Sequence, residues 1–173
     1  MLIVLTAAVA LGAAAPAPPG RGIQRLITKV SVEQGEEFSL RAENPAPSPL
    51  SSTAAVELVL TPDPRNEERE PYAPSLSYHA PLDLSGDSAA PAKNGTLLEI
   101  EALSSRAWTG RLSNLSWHQK EATVRSGAHP LPQVVPAGRY KLSFWIGGWR
   151  SNQVDVVVRR GGKVTPAGDD LNP

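Results

Sequence analysis

The sequence predicts an all-β protein, an antiparallel β-sandwich of seven to eight short strands. Three observations lead there. Apolar and polar residues alternate with a period of two in several short runs, the signature of half-buried strands. Turn-rich segments separate those runs. Proline occurs 17 times and glycine 14 times in 173 residues. That is roughly twice the usual ~5% proline, and it disfavours long helices. The length fits one domain, given ~150 residues per domain. Many short strands with frequent turns point to two packed sheets.

Residues 2–11 form an apolar run followed by Gly12, Ala13, Ala14 and Ala15. A signal-peptide core spans ~7–15 residues and a membrane helix needs ~20. Residues 1–14 are therefore expected to be a signal peptide cleaved after Ala14. A Pro/Gly linker follows at 15–22, then a single domain at 23–161 and a flexible tail at 162–173. No other segment is apolar enough to span a bilayer.

Within the domain, Leu26, Thr28, Val30 and Val32 alternate with Ile27, Lys29 and Ser31 to give a first strand. Gln34-Gly35-Glu36 is a turn. Phe38, Leu40 and Ala42 define a second strand, ended by Pro45, Pro47 and Pro49. Val56, Leu58 and Leu60 define a third, closed by Pro62 and Pro64. Residues 62–95 hold many prolines and the charged run Glu67-Glu68-Arg69-Glu70, so they are expected to be a long insertion, with at most a short edge strand near Leu76–Tyr78. Strand character returns at residues 96–100. Between Arg106 and Trp117 the phase is mixed, and a bulged strand is expected. The clearest signal is a hairpin. Tyr140, Leu142, Phe144 and Ile146 alternate with Lys141, Ser143 and Trp145, Gly147-Gly148 turns the chain, and Val154, Val156 and Val158 alternate on the return.

Pro136-Ala137-Gly138-Arg139-Tyr140-Lys141-Leu142 resembles the tyrosine corner of immunoglobulin-like and fibronectin-type-III-like sandwiches. The resemblance implies that Gly138 and Tyr140 are structural, with the phenol bonding back to the backbone. Leu142 stands where antibody domains carry cysteine, and the chain has no cysteine. It is similar in this to the disulfide-free branch found among exported bacterial proteins. The likeness covers about 25 residues and speaks to fold rather than function.

Several chemistries are absent from the sequence. Without cysteine there is no disulfide framework, thiolate metal site or thiol nucleophile. No phosphate-binding glycine loop and no Gly-x-Ser-x-Gly elbow occurs. His79, His118 and His129 lack metal-ligand spacing and read as loop or surface residues. Asp83 and Asp87 lack the ligand pattern of a calcium loop. Glu67, Glu68 and Glu70 sit in a polar segment unsuited to separating catalytic pKa values. The expectation is a protein that is not an enzyme and carries no cofactor or metal. Two glycosylation triplets, Asn94-Gly95-Thr96 and Asn114-Leu115-Ser116, matter only in a source that glycosylates exported proteins.

Net charge is zero, from 17 basic and 17 acidic residues, so nucleic acid is not an expected partner. The charge is unevenly placed, with the basic excess after residue 100. Strand parity puts Arg139, Lys141, Ser143 and Trp145 on the outward face of the last hairpin, with Asp155, Val157 and Arg159 on the return strand. Trp149 lies by the turn. Trp145, Trp149, Arg139, Lys141 and Arg159 are thus the candidate binding residues. The leading expectation is a secreted or periplasmic, non-catalytic module that binds or supports a protein or polysaccharide of the cell envelope. The alternatives are a carbohydrate-binding module using Trp145 and Trp149, and a protease inhibitor using loops Asn44–Ser51 and Ile146–Ser151. Export has a direct check: N-terminal sequencing of the mature protein should begin near Ala15, and recovery of cytoplasmic protein that keeps Met1 would refute it.

Overall fold

A computed structural model describes residues 26–33, 36–53, 55–64, 76–93, 97–122 and 135–167. The expected signal peptide and linker, Glu67–Glu70, His129 and the last six residues lie outside them. Every strand pair is antiparallel, one sheet curls into a half-barrel, and no α-helix occurs among the described residues.

The alternating residues form strands in the expected phase. β1 (Ile27–Val32), β2 (Glu37–Asn44) and β8 (Ser104–Arg111) make a three-stranded sheet in the order β1-β2-β8. Between β2 and β8 in sequence lie β3 (Leu50–Ser52), β4 (Val56–Pro62), β5 (Leu76–Asp83), β6 (Ala90–Pro91) and β7 (Leu98–Ile100). After β8 come β9 (His118–Ala122), β10 (Gly138–Ile146), β11 (Trp149–Val158) and β12 (Val164–Pro166). The larger sheet runs β12-β11-β10-β4-β5, and both β6 and β9 pair with β5. β3 and β7 pair with each other and prolong the β2–β8 ladder beyond a break at Pro45–Pro49.

Asn44 fills that break. Its side chain is buried, reaches the carbonyls of Ser48, Ile100 and Glu101 at 2.9–3.2 Å, and accepts the Ala46 N–H at 3.1 Å. The prolines remove ladder donors there, and one amide replaces them. The inward faces of both main sheets share a single cluster that includes Phe38, Leu40, Trp108, Leu58, Tyr78, Leu142, Phe144 and Val156. Trp108 keeps its indole N–H satisfied by donating to the Leu84 carbonyl at 3.2 Å. Gly110 is required by close approach, since a Cβ there would meet Phe38 at 2.5 Å.

Three expectations are corrected. Residues 62–95 contain an eight-residue strand in the interior of the larger sheet, not a loop with a short edge strand. Leu76, Tyr78, Ala80, Leu82 and Leu84 alternate through it, and Tyr78, Ala80, Leu82 and Leu84 are buried. Pro81 lies opposite Glu57 of β4, but its carbonyl accepts the Ala92 N–H at 2.9 Å on the other side, so its nitrogen faces the gap between β9 and β6, where no ladder donor is needed. The 106–117 segment is a regular strand against β2 followed by one 3₁₀ turn at Leu112–Asn114, without a bulge in that pairing. The tail is not wholly frayed. Gly161 (φ 90°) and Gly162 (φ 81°) reverse the chain, and β12 pairs with β11 with Val164 buried.

One of the ties between the two main sheets is a single side-chain amide. Between Ser143 and Trp145 of β10, β11 carries one extra residue, a β-bulge. Asn152 lies in it. Its Oδ1 accepts the Val30 N–H at 2.9 Å and its Nδ2 donates to the Val30 carbonyl at 2.9 Å. An amide side chain thereby imitates a ladder partner for the open edge of β1. Asn152→Ala should lower unfolding free energy by about 1–3 kcal/mol, because both Val30 groups lose their partner. The measurement is the urea midpoint at constant slope, and an unchanged midpoint would show that water replaces the amide without loss.

Candidate functional site

The face of the larger sheet turned away from the core is unexpectedly polar and unexpectedly buried. Parity places Glu57 and Val59 of β4, Ser77 and His79 of β5, and Ser143 and Trp145 of β10 on it, because Leu58, Leu60, Tyr78, Ala80, Leu142 and Phe144 point inward. Register then aligns them. Ser143 lies opposite Val59, which lies opposite His79, and Trp145 lies opposite Glu57.

Glu57 is 5% exposed and His79 is 1% exposed. His79 Nδ1 lies 2.8 Å from Glu57 Oε2, and its Nε2 lies 3.0 Å from Ser77 Oγ. The second carboxylate oxygen of Glu57 accepts from the Lys120 ammonium. Lys120 reaches it because β9 carries one extra residue between its partners of Ser77 and Tyr78, and Lys120 is that residue. Trp145 packs edge-on against His79, with ring centroids 5.6 Å apart, and its Nε1–H donates to Ser143 Oγ at 2.7 Å. The Arg150 guanidinium covers the indole, 3.8 Å from its centroid.

Burial pushes the Glu57 carboxyl up. The hydrogen bonds from Lys120 and His79, with their charges, outweigh it and hold the group below the ordinary carboxylate range. Glu57 is therefore ionised, and the ring nitrogen facing it carries the proton. Asp83, at the far end of β5, is lowered as well, by the Ser85 backbone N–H and hydroxyl.

The sequence-derived candidates separate in space. Trp145 and Lys141 are half-buried on this face, with Lys141 paired to Asp155 at 2.7 Å. Arg139 is half-buried, opposite Val157. Trp149 lies opposite Ile146 and packs against the core, away from Trp145. Arg159 is exposed in the turn after β11, where its N–H donates to the Lys163 carbonyl at 2.8 Å. Gly138 opens β10, and the buried Tyr140 donates its hydroxyl to the Pro136 carbonyl at 2.9 Å. The expectation that each histidine is a loop or surface residue is corrected for His79, which is buried in the interior strand β5. Sequence reasoning missed Ser77, His79, Glu57 and Lys120. One signal was present, since Glu57 is a lone charge inside the apolar run Val56–Leu60. Among the described residues no group of three His, Asp or Glu could hold a metal ion.

The chain matches no protein-family model, no curated protein and no solved structure.

The Glu57 network makes a signed prediction. Its folded pKa lies below the unfolded value of about 4.3. Its stabilisation is thus complete above that value and is lost as pH falls through the folded pKa. Wild type should exceed Glu57→Gln in stability at neutral pH, and the gap should narrow from about pH 4.3 downward. Denaturant midpoints of both proteins across the acid range test this, and a gap independent of pH would refute it.

Proposed function

We propose that the chain is a secreted or periplasmic module, an immunoglobulin-like β-sandwich, that binds or supports another macromolecule at the cell envelope. The carrying observation is the Trp145–Arg150 stack. Tryptophan and arginine are the side chains that most often dominate binding energy, and here they are held together before any partner arrives. The immunoglobulin-like reading draws support from the Tyr140 hydroxyl on Pro136, the bond that a tyrosine corner requires. The carbohydrate alternative is weakened. A sugar stacks on an open indole, whereas Arg150 already covers Trp145 and Trp149 faces the core.

A second reading, protease inhibition through end loops, is favoured by a different observation. Leu103 is 74% exposed and adopts φ 53°, a conformation costly for leucine. Its N–H donates to the Ala46 carbonyl at 3.0 Å, so the turn rests on the proline loop that Asn44 holds. Gly147 N–H donates to the Ala55 carbonyl at 3.4 Å, which holds the last hairpin turn against the chain entering β4. A rigid apolar projection suits insertion into a partner's cleft.

One set of variants separates the readings. Trp145→Ala and Arg150→Ala should weaken capture of the partner from envelope extract, the former by about 2 kcal/mol or more. Leu103→Asp should leave that capture intact. If only Leu103→Asp loses capture, and wild type inhibits a member of an endopeptidase panel, the loop end is the contact. Capture unchanged in all three variants would remove both surfaces.

A further inference from the structure

Ser77, His79 and Glu57 form a hydrogen-bonded relay, Oγ to Nε2 at 3.0 Å and Nδ1 to Oε2 at 2.8 Å. We propose that Ser77 is an activated nucleophile, with His79 as its general base and Glu57 as the group that orients the ring, and that it accepts acyl groups from activated esters. This goes beyond the binding reading and departs from the expectation of a protein without catalysis.

Five features of the site carry it. Both distances lie within the reach that a nucleophile–base–orienter set needs. The ionised Glu57 accepts a hydrogen bond from His79 Nδ1–H, which in the neutral ring leaves the Nε2 lone pair facing the serine hydroxyl. Burial is graded in the useful direction, since His79 and Glu57 are buried while Ser77 stays partly exposed. The scaffold is also rigid. Ser77 and His79 are two residues apart on one strand, Glu57 is on the neighbouring strand, and Trp145 packs against the imidazole. The β9 bulge lies directly beside Ser77, where a ladder is free to re-aim side chains.

The chemistry balances without an added oxidant or reductant. Ser77 Oγ attacks the ester carbonyl, the hydroxyl proton passes to His79 Nε2, and the C–O bond to the leaving alcohol breaks. The alcohol leaves with the proton from His79, and the acyl group remains on Oγ. Attack by water, with His79 again taking a proton, releases the acid and restores the serine.

The test is labelling with a fluorophosphonate, in which Oγ bonds to phosphorus and fluoride leaves, read by peptide mass spectrometry. Exposed Ser113 is the internal reference. Ser77 should label at least about 100-fold faster than Ser113, the usual scale of general-base assistance. His79→Gln and Glu57→Gln should each slow Ser77 labelling, the former by about 100-fold or more, with thermal melts checking that the variants fold. Equal labelling of Ser77 and Ser113 in wild type would overturn the proposal even if the variants do not fold. A rate unchanged in folded His79→Gln would overturn it as well, and would make the relay a packing device.

Discussion

One carboxamide joins the outer edge of β1 to the larger sheet. β1 ends the smaller sheet, and its outer edge would otherwise face the larger sheet with unpaired backbone groups. Asn152 supplies both the donor and the acceptor that Val30 needs. It is placed to do so by the bulge in β11, which turns the strand and inserts the extra residue. Much else follows from that junction. Leu26 and Val30 join Val156 and Val158 in one core, so the stitch and the apolar burial support each other. A buried backbone group without a partner is expensive, and the contact therefore fixes sheet position more tightly than apolar packing alone could.

The same bulge shapes the outward face. In an unbulged strand, residues separated by three cannot share a side. Arg150 and Gln153 do share one, opposite Trp145 and Ser143, because the extra residue lies between them. The second bulge, in β9, brings Lys120 onto the face in a similar way. Two local insertions thus assemble a charged and aromatic cluster on a sheet whose opposite side is hydrocarbon. Glu57 tolerates burial there because an ammonium and an imidazole hold its two oxygens.

The legibility of this protein divides along physical lines. Strands whose apolar residues alternate without interruption, such as β2, β4 and the β10–β11 hairpin, were readable, because period two is a local property. β5 has the same alternation from Leu76 to Leu84, but Pro81 and His79 disguised it. Whether a proline fits a strand depends on which neighbour needs its N–H, and that is settled by pairing. β12 was hidden because it hangs on the Gly161–Gly162 reversal rather than on its own three residues. For the site, hairpin parity gave the outward side of Trp145. It could not give Gln153 on the same side as Arg150, which needs the bulge, or His79 beside Glu57, which needs a register between positions 22 residues apart.

The split edge of β5 bears on how the molecule behaves in a crowd. A long, unpaired strand edge is a template on which another chain can grow. Here β6 is only two residues long and contains Pro91, while β12 is three residues long and contains Pro166. On the free side of β8, the Ala89 N–H already donates to the Thr109 carbonyl. Among the described residues, these three edges are short, proline-bearing or occupied. At them another chain finds little ladder on which to pair.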